Sequence, residues 1–385
     1  MISLDLARVL LSRLGEPSPL IQVIMGPRQV GKTTSVQQAM NSLPPGAAAH
    51  YVAADAVFQS DWSWLERQWR TAQSMAPDAL LVVDEIQKVE NWSEIIKKLW
   101  DEGRRDSFRL KVVLLGSSSL ALQTGLSESL TGRFELMRAF HWNVLESTEA
   151  FGYEVNDYLR YGGYPGSASF RHDEDRWLAY LKSAIVETVL DKDVMQLRRI
   201  ARPALFKQVF ALLCNYPAME ISLRKLVGQL QDPGSIETVK HYIELLEGAF
   251  LVKTLQKFTT NALQKRSSSP KILPLCPALC SFGRQDTQLT PELRGRLFEL
   301  TVGLDLLRLP GSLYYWRQDQ AEVDYVYQQG PHTTAVEVKS GRKKAPHGLS
   351  QFKVAFPKAH CLVISPEQYL DFAKSPAAYI RPPEQ

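Results

Sequence analysis

The stretch Ile21-Gln22-Val23-Ile24-Met25-Gly26-Pro27-Arg28-Gln29-Val30-Gly31-Lys32-Thr33-Thr34 decides the fold. A short β-rich apolar run leads without interruption into GPRQVGKTT, which matches G-x-x-x-x-G-K-[ST] at every position. Small residues at Gly26 and Gly31 let the chain curl until successive N–H groups point at one spot, and the following helix adds its positive N-terminal end. Pro27, Arg28, Gln29, Val30 and Thr34 line the same loop. Lys32 then reaches the β- and γ-phosphates, and the Thr33 hydroxyl is placed to ligate Mg²⁺. The expected ligands are ATP and Mg²⁺.

Working outward, a phosphoryl-transfer site needs a carboxylate at the end of a neighbouring buried strand. Ala79-Leu80-Leu81-Val82-Val83-Asp84-Glu85 supplies two. Asp84 is expected in the Mg²⁺ shell, and Glu85 as the general base that polarises the attacking water. A third apolar run, Leu110 to Leu115, ends at Gly116-Ser117-Ser118-Ser119. Ser117 or Ser118 is placed to sense the γ-phosphate, or else to cap the helix starting near Leu120. In Ser129-Leu130-Thr131-Gly132-Arg133, the arginine is a candidate to stabilise the transition state across a subunit boundary, the alternative being an ordinary surface arginine.

The succession GPRQVGKTT, LLVVDE, LLGSSS and SLTGR resembles an AAA+ type ATPase. With the later Tyr161-Gly162-Gly163-Tyr164-Pro165, the chain is similar to a bacterial and archaeal family that joins an AAA+ core to a nuclease-like C-terminal domain. That resemblance implies an α/β fold in three parts. An AAA+ P-loop ATPase core with a parallel sheet covers residues 1–150, a helical lid and winged helix cover 151–257, and an α/β PD-(D/E)XK nuclease-like domain covers 258–385.

The residues support this division. Asp173 to Ile200 carries apolar positions at helical spacing. Ala204–Asn215, Ser222–Leu230 and Ser235–Glu247 then read as three helices before an alternating ribbon at Gly248–Leu255, the outline of a winged helix. Its last helix offers Glu237, Thr238, Lys240 and His241 outward, so DNA contact and protein contact both remain open. A second basic stretch, Lys192 to Lys207, reads first as a solvated face.

In the last third, Asn261–Cys280 has turn composition, and Pro291 opens a helix followed by strands at Leu313–Arg317, Val323–Gln328 and Thr334–Val338. Asp324 lies in one strand, and Glu337 and Lys339 share a face of the next. Two carboxylates can bind Mg²⁺ while a lysine orients the attacking water. Glu337 and Lys339 can equally form a plain ion pair. The run resembles the PD-(D/E)XK nucleases, most closely archaeal Holliday-junction-resolving endonucleases. That resemblance implies that Asp324 and Glu337 are metal ligands, Lys339 the catalytic lysine and Glu299 an accessory acid of the metal shell. Arg342, Lys343 and Lys344 would suit phosphate contacts.

Composition bounds these readings. The 385 residues are 45% hydrophobic and 22% charged, enough for two or three cores and far from disordered or fibrous composition. No apolar run approaches the roughly 20 residues that span a bilayer. The amphipathic N-terminus does not read as a signal peptide, so the expected location is cytoplasmic, with no membrane partner. Cys214, Cys276, Cys280 and Cys361 are too scattered for a disulfide framework and read as thiols. From Phe258 onward 16 Lys/Arg face 11 Asp/Glu, so attraction for a polyanion concentrates there. The combined expectation is an ATP-hydrolysing protein that remodels branched or forked DNA, assembles into a homo-oligomer of possible hexameric form, and carries a C-terminal endonuclease. The alternative is a nucleotide-gated regulatory or scaffolding ATPase with an inactive nuclease-like domain.

Overall fold

Five short strands form a parallel sheet in the order β2-β3-β4-β1-β5: β1 Ile21–Met25, β2 Ala49–Ala53, β3 Leu80–Asp84, β4 Lys111–Leu115 and β5 Phe134–Arg138. The computed structural model describes residues 4–17, 20–56, 60–106, 109–116, 130–195, 200–231, 234–259, 268–339 and 347–380. Every residue of β1 and β3 is buried, as expected of parallel strands covered on both faces. Helices Asp5–Leu14, Lys32–Asn41, Trp62–Met75 and Trp92–Arg105 accompany the sheet. Asp61 caps the third of these by accepting from the Trp64 amide. Leu10, Leu14, Ile24, Val36, Val82 and Val113 lie in one core. Because β4 lies between β1 and β3, the loop after β1 and the carboxylate ending β3 reach the same sheet edge one strand apart. Ligands of open α/β sheets bind at that edge.

The chain divides into two compact units, Met1–Phe140 with Asp191–Arg198, and His141–Leu190 with Arg199–Gln385. The second unit begins with helix Val144–Phe151, closed by a reciprocal Asn143–Glu146 capping box, and continues through Val155–Tyr161 and Glu174–Tyr180 into a wide-turned helix, Leu181–Val186. The glycines of YGGYP are packing residues here. Trp142 donates its amide to the Gly163 carbonyl, and a Cβ on Gly163 would lie 2.0 Å from the Trp142 carbonyl oxygen.

Helix Pro203–Cys214, β6 Met219–Glu220, helices Leu223–Val227 and Ile236–Gly248, β7 Val252–Leu255 and β8 Lys271–Pro274 follow. The three strands pair antiparallel in the order β6-β8-β7, the arrangement of a winged helix. Its middle strand therefore comes from the stretch 261–280, expected to be only a boundary region. Helix Pro277–Arg284 packs on helix Pro203–Cys214, with Cys214, Cys276 and Cys280 buried as free thiols.

Helix Pro291–Leu307, β9 Ser312–Gln318, β10 Ala321–Gln329, β11 His332–Val338, helix His347–Ala355 and β12 His360–Ile364 complete a second sheet of order β12-β11-β10-β9. Its pairs are antiparallel except β11 with β12. The boundary expected after residue 257 falls inside a junction. Lys257 bridges Tyr315, and the Phe258 amide donates to the Tyr315 carbonyl at 2.7 Å, so the ribbon after β7 runs onto β9. A buried polar group ties the ends of this unit together. Arg308 Nη2 lies 3.0 Å from Glu146 Oε2, and the Tyr369 hydroxyl donates to Asp305 Oδ2 at 2.9 Å. Among the described residues no helix is long and apolar enough to cross a membrane.

Candidate active site

The loop after β1 has the geometry its sequence demands. Gly31 adopts φ 85°, a left-handed conformation that favours glycine, immediately before helix Lys32–Asn41 begins. A Cβ on Gly26 would lie 2.4 Å from the Ala139 carbonyl oxygen. Lys32 is buried with its ammonium folded over the loop, donating to the carbonyls of Gly26 at 3.0 Å and Pro27 at 2.7 Å.

Opposite it, Asp84 collects three donors. The Thr33 hydroxyl lies 2.8 Å and the Tyr51 hydroxyl 2.7 Å from Oδ2, and the Glu85 amide lies 2.8 Å from Oδ1. All three are neutral, so among the described residues Asp84 has no cationic partner. A buried carboxylate in that condition, beside a threonine hydroxyl and a helix N-terminus, suits Mg²⁺ and a phosphate chain. The loop residues and Lys32 would hold the phosphates, with Thr33 and Asp84 holding the metal. Glu85 adopts φ 52°, a left-handed conformation costly for a residue with a side chain, and accepts from Gln87 Nε2. Its place directly after Asp84 suits a general base.

Tyr51 is the residue that sequence reasoning missed. It sits in β2, and burial, with Asp84 beside it, pushes its hydroxyl well above the ordinary range, keeping it a donor. The strand AHYVA carries no motif, and only pairing with β3 brings Tyr51 to Asp84. Ser117 and Ser118 lie outside the described residues.

Arg133, expected to act across a subunit boundary, is paired with Asp101 within its own unit. It directly precedes β5, and Ile21 pairs with Phe134, so it stands at the edge of the sheet opposite the phosphate loop. At about 3.3 Å per residue, the length of β1 separates it from Gly26. Its guanidinium makes a bidentate pair with Asp101, Nε to Oδ1 at 2.8 Å and Nη2 to Oδ2 at 2.9 Å. Acting as a finger would require that pair to break.

The C-terminal carboxylates are arranged differently. Glu299 on helix Pro291–Leu307, Asp324 in β10 and Glu337 in β11 approach one another, but so do cations. Lys271 Nζ lies 2.6 Å from Glu299 Oε1 and 4.0 Å from Asp324 Oδ1, Arg296 Nη1 lies 3.4 Å from Glu299 Oε2, and Lys339 pairs with Glu337 Oε1. Asp324 Oδ2 accepts the Val338 amide at 2.7 Å. Burial pushes the Glu337 carboxyl up, aided by Asp324 and opposed by Lys339, and its Oε2 is buried without a partner. Among the described residues no three Asp, Glu, His or Cys side chains converge as a metal site. The expected shell of Glu299, Asp324 and Glu337 is thus intersected by Lys271, and these residues do not fit a metal. Arg342, Lys343 and Lys344 lie outside the described residues.

Residues 18–148 match the model of an AAA domain, and residues 153–281 and 294–375 each match a domain of unknown function. An uncharacterized protein of Mycobacterium tuberculosis is 27% identical over 327 residues, covering 83% of this chain and 70% of the relative. An uncharacterized protein of Methanocaldococcus jannaschii is 25% identical over 335 residues, covering 80% of this chain and 71% of the relative. Among solved structures, the Walker-type ATPase of Pyrococcus abyssi is similar with a TM-score of 0.50 and 13% identity, over 73% of this chain and 95% of the other. The first unit is an AAA-type domain with the P-loop ATPase fold.

Proposed function

We propose that the protein hydrolyses ATP and uses the cycle to remodel DNA held by its second unit, with branched or forked DNA as the substrate class. The observation that carries the ATPase part is the pairing of a complete phosphate loop with Asp84, whose donors are all neutral. Bound Mg²⁺ would neutralise phosphate charge. The chain's own groups position it: Lys32 on the phosphates, Asp84 with Thr33 on the metal side, and Glu85 to take the proton of the attacking water. Lys32→Ala should abolish nucleotide binding. Glu85→Gln should keep ATP bound while phosphate release falls about 10²–10⁴-fold. Sustained multiple-turnover hydrolysis in Glu85→Gln would show that the base is elsewhere.

The DNA part is supported by the winged-helix strand order and the basic balance after residue 258. A second reading, the nucleotide-gated scaffold, has its own support. The exposed residues of helix Ile236–Gly248 include Glu237 and Glu244 beside Lys240 and His241, which is not a basic reading face. Binding to a labelled four-way junction across a salt series separates the two. A phosphate-contacting surface loses affinity steeply as salt rises, and a scaffold shows little affinity at any salt. Sedimentation with and without a non-hydrolysable ATP analogue reads the expected self-assembly, and a monomer under both conditions would sink the role of Arg133 as a finger across a subunit boundary.

A further inference from the structure

We propose that the Lys271 ammonium is the resident cation of the C-terminal acidic centre, filling the place between Glu299 and Asp324 that a divalent metal would otherwise take, so that no metal-dependent strand cleavage occurs there. The inference does not depend on the ATPase reading. Lys271 opens β8 in the winged-helix sheet, and its side chain enters the neighbouring sheet. There Nζ meets Glu299 Oε1 at 2.6 Å, the Asp324 carbonyl at 3.0 Å, Asp324 Oδ1 at 4.0 Å and the face of Tyr325 at 4.6 Å from the ring centroid. Two carboxylates, a carbonyl and an aromatic face form a built cation site, already filled by the chain itself.

Burial makes the assignment restrictive. Lys271 is 5% exposed, and an ammonium so placed is tolerable only when paired and hydrogen-bonded. Glu299 Oε1 at 2.6 Å and the Asp324 carbonyl at 3.0 Å are the partners that such an ammonium requires. Three carboxylates, Glu299, Asp324 and Glu337, are answered by three cations, Lys271, Arg296 and Lys339. A divalent ion added to this balanced set would leave two uncompensated charges unless a lysine withdrew. Both Asp324 oxygens already face partners, and the lone Glu337 Oε2 offers one ligand where a chelate needs several. A cavity of about 140 Å³ opens on the centre, and Lys271, Arg296 and Arg317 stand in its lining among Glu220, Glu299, Glu322 and Asp324.

The test is a Mn²⁺ titration of the full chain without nucleotide, followed by electron paramagnetic resonance, for wild type, Asp324→Asn, Lys271→Ala and the double variant. Wild type and Asp324→Asn should bind the same amount of Mn²⁺. Lys271→Ala should gain one further Mn²⁺ with at least tenfold tighter binding, and the double variant should lose it. The idea is overturned by a wild-type Mn²⁺ site that Asp324→Asn removes, or by a folded Lys271→Ala that gains none. Mg²⁺-dependent cleavage of a four-way junction that Asp324→Asn abolishes would overturn it as well. If Lys271→Ala does not fold, the wild-type comparison with Asp324→Asn and the cleavage assay still decide.

Discussion

Asp84, at the end of β3, is met by two hydroxyls and an amide, whereas Glu299 and Asp324, at the heart of the second unit, are met by a buried ammonium. Both sets are acidic and largely buried beside a β-sheet. Among the described residues no cation meets the first, whereas lysine and arginine side chains meet the second. Carboxylate spacing therefore says where a cation goes, and the nearest lysine says whether the place is vacant. On the proposed readings, that distinction turns similar sequence signals into a nucleotide site in one unit and a structural ion cluster in the other.

The contrast breaks most visibly if the two acids are removed in turn. Glu299→Ala should cost about 3–5 kcal/mol, because it takes the nearest anion from the buried Lys271 ammonium and leaves Asp324 Oδ1 4.0 Å away. ATP hydrolysis should survive below the lowered unfolding temperature, as read by chemical denaturation alongside phosphate release. Asp84→Asn should do the reverse, lowering turnover about 10²–10³-fold while stability moves by no more than about 1 kcal/mol. Equal stability losses in both variants would erase the distinction between an open and a balanced site.

Asp305 sharpens the picture of the balanced unit. Burial pushes its carboxyl up to about 6, while Arg308 and the Tyr369 hydrogen bond pull it down. The folded state therefore holds this proton more tightly than the unfolded state. Its contribution is present below the ordinary carboxylate range and is lost as pH rises through about 6. Wild type should lose on the order of 2 kcal/mol relative to Asp305→Asn between roughly pH 4 and that upper limit, measured by denaturation at each pH. Parallel pH profiles for the two proteins would remove Asp305 from the account. The smallest effect belongs to Tyr51→Phe, which deletes one neutral donor to Asp84 and should slow turnover roughly fivefold, about 1 kcal/mol, without changing the fold. An unchanged rate would mean that Thr33 and the Glu85 amide hold Asp84 unaided.

The first unit was legible because its signals are local. Buried parallel strands are continuous apolar runs, and the phosphate loop is contiguous in sequence. The features that the sequence does not show depend on pairing at a distance. The location of Arg133 follows from Phe134 lying beside Ile21, more than a hundred residues away. Strand β8 is only Lys271-Ile272-Leu273-Pro274, a charged residue, two apolar ones and a proline, and it becomes a central strand only between β6 and β7. Glu299, Asp324 and Glu337 were found from helix and strand order, but the cation among them sits 28 residues before the first acid, in a stretch whose composition spoke only of turns. Winged-helix order was partly visible because its helices are amphipathic and well capped, Ser222 and Ser235 each accepting from a backbone amide.

The ribbon leaving β7 and the strand β8 that returns to it are each fastened to the C-terminal sheet, one through Phe258 and Tyr315, the other through Lys271. A hinge pinned at both leaves cannot swing. Torque applied to the wing must reach β9 and β10 undivided, so the two sheets turn as a single lever or one of the two fastenings gives way.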